Sequence, residues 1–153
     1  TVCQREKVDV LEDGMEAILE ISEGDLRRAT NTLQAAASMG KPIHAETVYS
    51  VVGRANPTDV RKMMALTLKG DFLGAREALR EMILKYGVAG SDIIKQIHIE
   101  IFRSGLPDQW KVKMADAIGE IDFRLVQGAD EEVQLSALLA RLTEAGYEMK
   151  RGG

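Results

Sequence analysis

An all-α fold is what this sequence predicts, and three observations predict it. The apolar residues are mostly Leu, Ile, Val, Met and Ala, with only 5% aromatic, a palette that favours helices over sheets. Apolar positions recur at helical spacing between Gly and Pro punctuation. No segment alternates polar and apolar with a period of two for long enough to read as a strand.

The elements follow in order. Residues 1–7 read as the end of a helix that begins upstream. The chain starts Thr-Val-Cys without Met, as a piece of a longer protein would. A helix over about 12–22 places Met15, Ile18, Leu19 and Ser22 on one face, with Leu11 where a Ser or Thr cap is expected. The next, over about 25–39, carries Leu26, Ala29, Leu33, Ala36 and Ala37 at helical spacing and stops at Gly40. A short helix over about 45–52 ends at Gly53. The stretch "GRANPTD", residues 53–59, combines Gly, Asn and Pro and is the best boundary in the chain, with Asn56 able to cap and Pro57 suited to a first helical position. Helices then follow at about 57–69, 72–86, 90–103, 107–126 and 131–145, with Asp71 and Pro107 as start signals. Ile93, Ile94, Ile97 and Ile101 form one apolar stripe, Leu135, Leu138, Leu139 and Leu142 another; both suit an intrachain core.

Composition sets aside several function classes. The chain has 153 residues, 45% hydrophobic and 29% charged, enough for one ordinary domain or two small ones. A net charge of −4 gives no global field that recruits nucleic acid. Cys3 is the single cysteine, which excludes an internal disulfide framework and suits a reducing compartment. No apolar run is long enough to span a membrane. Gly40-Lys41 is followed by Pro42 and makes no phosphate-binding loop. His44 and His98 lack zinc-ligand partners at familiar spacings. Cys3 sits in no nucleophile motif. The acidic pairs Glu12–Asp13 and Glu131–Glu132 complement helix dipoles at their starts.

In "GDLRRATNTLQ", residues 24–34, Arg27 and Arg28 sit in the first turn of a helix, where the dipole is already positive. They are either solvated surface charge or half of an anion site. Free N–H groups at a helix start attract anions, and the guanidinium fork matches phosphate oxygens. Glu120 and Arg124, four residues apart, form a favourable intrahelical pair in their turn.

The stretches "EGDLRRATNTLQAAA", "TVYSVVGRANPTDV", "TLKGDFLGAREAL", "YGVAGSDIIKQIHIEIF" and "WKVKMADAIGEIDFRLVQGADEEVQLSALLA" keep the order and spacing of the replication factor C small-subunit family. On them the chain resembles those AAA+ clamp-loader ATPases, most of all the archaeal ones. The resemblance implies an incomplete AAA+ helical lid over residues 1–55, a five-helix collar for oligomerisation over 56–149, and a frayed tail at 150–153. It implies that Arg27 is the sensor 2 arginine reaching the ATP γ-phosphate, with Arg28 at the following basic position. The Leu11 position departs from the family's small polar cap. In the family the phosphate-binding loop and metal-binding acidic motif precede the lid, so this chain is expected to be no complete enzyme and to hold no cofactor tightly, with ATP and Mg²⁺ belonging to the full-length parent.

The implied partners are other clamp-loader subunits, both copies of the small subunit and the large one. The sliding clamp and primer–template DNA are reached through the full complex, in an archaeal cytoplasm or a eukaryotic nucleus. Trp110, Lys113, Asp122 and Arg124 are candidates for one face of the ring contact, because Trp and Arg concentrate interface energy. A rival reading is a helical oligomerisation or adaptor module with no nucleotide link. A third keeps the fold with a bacterial clamp-loader subunit as parent.

Overall fold

A computed structural model describes residues 9–40 and 42–152. The helix expected over 1–7 and Cys3 lie outside the described residues. All regular elements among the described residues are helical, apart from one isolated parallel bridge, Val10 with Ile43. The chain divides into two compact units, Thr1–Asn56 and Pro57–Gly153.

The first unit holds α1 (Glu12–Ser22), α2 (Leu26–Ser38) and α3 (Ala45–Val52), each packed on the other two. Leu11 makes no side-chain cap to α1, as its type dictates, while Glu12 and Asp13 place negative charge on the first turn. Around the bridge, the Leu11 N–H donates to the Ile43 carbonyl and the Ile43 N–H to that of Asp9. This ties the entry of α1 to the segment before α3. Asp13 adds a second tie, accepting from the Ala45 N–H at 2.9 Å. The core contains Ala17, Ile18, Ile21, Leu33, Ala36, Ile43, Val48 and Tyr49. It differs from the expected stripes at two places. Leu19 and Leu26 are exposed, because Gly14, Ala17, Ile21 and Ser22 with Ile18 set the inward face of α1, and Leu26 sits at the very start of α2, beyond the core.

The second unit holds α4 (Pro57–Leu68), α5 (Phe72–Arg80), a π-helical turn (Glu81–Lys85), α6 (Gly90–Arg103), α7 (Asp108–Val126) and α8 (Glu131–Arg151). Helix α8 runs through the middle, touching α4, α5, α6 and α7. Ile93, Ile94, Ile97 and Ile101 of α6 and Leu135, Leu138, Leu139 and Leu142 of α8 are buried here, as an intrachain core. Pro57 opens α4 as its first residue, Asp71 caps α5 by accepting from the Gly74 N–H at 2.9 Å, and Asp130 caps α8 through Val133.

Three boundaries differ from expectation. The helix expected over 72–86 is α-helical only to Arg80 and then widens into the π turn. Pro107 stands at the cap of α7 rather than within it. The last helix does not stop at 145, and Lys150 and Arg151 are helical rather than frayed. Gly146 continues that helix for a packing reason: a Cβ there would lie 2.6 Å from the Leu68 carbonyl oxygen, so only glycine lets α8 pass this close to the end of α4. Beyond the crossing, Tyr147 Oη donates to the Gly70 carbonyl at 3.3 Å and Lys150 Nζ to that of Lys69 at 2.6 Å.

Candidate functional site

The start of α2 is built by a tight turn. The Glu23 N–H donates to the Leu19 carbonyl, and the Asp25 N–H to that of Ser22. Between them Glu23 and Gly24 adopt left-handed backbone, with φ of 50° and 85°. The second value suits glycine, and no atom approaches where its Cβ would be. Asp25 is the cap. Its Oδ1 accepts from the Arg27 N–H at 2.9 Å and the Arg28 N–H at 3.2 Å.

The first-turn N–H groups were to draw an anion, yet two of them are already bound to the Asp25 carboxylate. What remains to attract an anion is the pair of side chains. Arg27 and Arg28 are both exposed, and neither guanidinium has a hydrogen-bond or ion-pair partner among the described residues.

The other described arginines have an account. Arg61 pairs with Glu100, Arg76 and Arg80 with Glu132, and Arg124 and Arg141 with Glu120. Arg103 and Arg151 are the last residues of α6 and α8, and Arg54 follows the Gly53 cap of α3. A cation there meets the negative end of a helix dipole. Only Arg27 and Arg28, among the described arginines, sit at the positive end without a carboxylate of their own.

The four residues expected at a ring contact do not form one face. Trp110 is 5% exposed, buried within its own unit, and cannot serve as a surface anchor. Residues 110, 114, 117 and 121 are all buried, and their i, i+4, i+7, i+11 spacing marks the inward line of α7. Lys113 lies over the Trp110 ring at 4.5 Å, and both line a depression shared with Arg141, Glu144 and Glu148 of α8. Arg124 is held by Glu120 on the same flank. Asp122 lies on the opposite flank, in a groove shared with Ile94, Lys95 and His98 of α6. Residue type suggested those four; the exposed large apolar residues of the two helices are Val112, Phe123 and Val126 on α7 and Ile99 and Phe102 on α6. Register with the inward line separates Val112, Phe123 and Val126 from the core residues of α7, whereas residue type alone does not.

Among the described residues no group of three or more His, Cys, Asp or Glu could hold a metal ion. His98 stacks edge-on against Phe102, with ring centres 5.0 Å apart. His44 Nδ1 lies 3.9 Å from Asp13. The Ala45 N–H bond, helped by the Gly14 N–H and His44, holds the Asp13 carboxyl below the ordinary carboxylate range. No helix among the described residues is long and apolar enough to cross a membrane.

Comparison with known proteins bears on both units. The family model of the replication factor C C-terminal domain matches residues 55–141, and that of the RCF1/5-like AAA+ ATPase lid domain matches residues 1–38. The chain is similar to the replication factor C small subunit of Staphylothermus marinus, 51% identical over 151 residues, covering 97% of this chain and 46% of the relative. To that of Aeropyrum pernix it is 49% identical over 144 residues, covering 93% of this chain and 44% of the relative. To that of Pyrococcus horikoshii it is 51% identical over 145 residues, covering 95% of this chain and 17% of the relative. The chain thus spans less than half the length of these relatives.

Proposed function

The chain belongs to the replication factor C family, and from that premise we propose that it is the nucleotide-sensing lid and the assembly collar of a DNA sliding-clamp loader. The parent is an AAA+ ATPase of the archaeal cytoplasm. It joins other clamp-loader subunits in a ring, opens a sliding clamp and loads it onto primer–template DNA. The first unit reports nucleotide state, and the second holds subunits together while the ATPase modules rearrange. The phosphate-binding loop and the carboxylates for Mg²⁺ are supplied by the rest of the parent, so this chain alone turns over no ATP.

The observation that carries the reading is the pair of arginines at the positive end of α2 that have no partner among the described residues. Two adjacent guanidiniums there are unfavourable until an anion arrives. An ATP phosphate fits them: planar forks, with no competing carboxylate on either among the described residues. Bound ATP supplies the energy of the cycle. Arg27 supplies a charge-assisted contact that couples the lid to the presence of the terminal phosphate, and Arg28 is its less essential neighbour.

The test is Arg27→Ala in the full-length protein. A charge-assisted hydrogen bond is worth about 1.5–3 kcal/mol, so ATP-dependent loading should fall by roughly one to two orders of magnitude with the melting temperature unchanged. Normal loading by the variant would reduce Arg27 to surface charge. A lowered melting temperature would assign it a structural task instead.

A further inference from the structure

Arg27 is the first member of a row on α2. Arg27, Asn31, Gln34 and Ser38 stand at i, i+4, i+7 and i+11, and all four are exposed. At about 100° and 1.5 Å per residue they stay within about 40° of one line, which runs about 16.5 Å along the helix. The buried residues Thr32, Leu33 and Ala36 occupy the other side. The row therefore faces away from the core of the first unit.

Its chemistry is polar without charge. From Ala29 to Ser38 no side chain is ionisable, although 29% of the chain is charged. The Ser38 hydroxyl donates to the Ala35 carbonyl at 2.6 Å, and that of Thr30, beside the row, to the Leu26 carbonyl at 2.9 Å. The Asn31 and Gln34 amides have no hydrogen-bond partner among the described residues. Water solvates charged side chains as readily as amides, so solvent gives no reason to exclude charge from such a face. A surface that is wetted and buried in turn does give one. Burying an amide is offset by the hydrogen bonds it makes, whereas burying an unpaired charge is costly. The cores of protein contacts are depleted of charge for the same reason.

We propose that Asn31, Gln34 and Ser38 form a latch, which seats the lid on the part of the parent that holds the nucleotide when Arg27 meets the terminal phosphate. This rests on the reading of Arg27 given above and adds the residues that keep the lid in place. With Arg27 on a phosphate, the protein surface that cradles that phosphate lies on the Arg27 side of α2, and the row extends along that side. Asn31 is one turn from Arg27 and Gln34 two, so one rigid helix brings all three down together. Each amide offers donors and an acceptor, which suits backbone groups and uncharged side chains. Such hydrogen bonds are individually modest, as contacts broken in every cycle must be. Arg27 is the trigger, and the amides are positioning residues that lengthen the closed state.

Stopped-flow release of a fluorescent, non-hydrolysable ATP analogue from the full-length protein tests the latch, with Arg27→Ala and the pair Asn31→Ala, Gln34→Ala. Both amide positions are exposed and alanine is the better helix former, so the paired variant should keep its melting temperature. It should release the analogue about tenfold faster than wild type, the effect of two hydrogen bonds of ordinary net strength, with the association rate unchanged. Release of the matching ADP analogue, which gives Arg27 no terminal phosphate, should stay at the wild-type rate. If Arg27→Ala speeds release of the ATP analogue and the paired variant does not, the latch is overturned and the sensing role of Arg27 stands. If the paired variant speeds release of both analogues alike, the amides act through the fold of the lid and the latch is overturned. If release is unchanged but salt-sensitive binding to DNA weakens, the row faces nucleic acid and the latch is again overturned. If Arg27→Ala also leaves release unchanged, the phosphate reading fails and the latch fails with it.

Discussion

Replacing Asp25 by alanine removes the one side chain that caps α2. Its Oδ1 holds two backbone donors, the Arg27 and Arg28 N–H groups at 2.9 and 3.2 Å. Removing an aspartate cap costs about 0.5–2 kcal/mol, typically about 1, and the site is exposed, so the middle of that range applies. The loss falls on a three-helix unit with a small core. For a domain of this size about 1 kcal/mol lowers the unfolding midpoint by roughly 4–8 °C. Asp25→Asn keeps an acceptor and loses the charge facing the dipole, a difference of about 0.3–1 kcal/mol. The order of stability should therefore be wild type, Asn, Ala. Arg27→Ala should leave the midpoint unchanged or raise it slightly, since it removes like charge from the positive end. Thermal unfolding measures the order, and hydrogen exchange at the Arg27 and Arg28 amides reads the cap itself. If Asp25→Ala keeps the wild-type midpoint and full protection at both amides, the cap does not organise this helix start, and the account of why the arginines are available fails with it.

Two further outcomes follow from the packing and the charges. Gly146→Leu should push α8 off the end of α4, where a Cβ already meets the Leu68 carbonyl at 2.6 Å; a cost of about 1–3 kcal/mol is expected from such overpacking, read as a lower denaturation midpoint of the second unit. Asp13 has its carboxyl held low, chiefly by the Ala45 N–H. Its contribution is complete above the unfolded carboxylate value near about 4 and is lost as pH falls through the lower folded one. Asp13→Asn should therefore flatten the acid limb of the stability profile below about pH 4, and an unchanged limb would show that this bond is not what titrates.

Helix starts and stops were the most legible part of the chain because caps are local chemistry. The spans 12–22, 45–52 and 90–103 coincide end to end with α1, α3 and α6. What was illegible depends on contacts distant in sequence. Gly146 reads as a helix breaker, yet α8 runs through it because the Leu68 backbone leaves room for nothing larger. The π turn at Glu81–Lys85 carries no Gly or Pro to announce it. Trp110 is the instructive case. Its residue type argued for an interface, whereas its register with Met114, Ala117 and Ile121 argued for the core, and register decides, because a helix has one inward line and these residues occupy it. At the candidate site the arginines were visible in the sequence and the use of their own N–H groups by Asp25 was not.

The contrast between the arginines of the two units bears on what each unit does. Exposed ion pairs such as Arg124 with Glu120, or Arg76 and Arg80 with Glu132, contribute little to stability, about 0–1 kcal/mol each. Their consequence is occupancy: a guanidinium facing a carboxylate binds a new anion only by displacing it. Among the described residues Arg27 and Arg28 carry no such competitor, and Asp25, the cap of their own helix, spends one carboxylate oxygen on backbone donors rather than on either guanidinium. The two arginines are not equivalent, however. Successive residues on a helix diverge by about 100°, so a ligand approaching one side of the α2 start meets one of them squarely and the other at its margin. On the proposed reading, where Arg27 meets the phosphate, Arg28 is turned toward a different neighbour. The two single alanine variants should then separate, with Arg27→Ala weakening nucleotide response and Arg28→Ala leaving it near wild type.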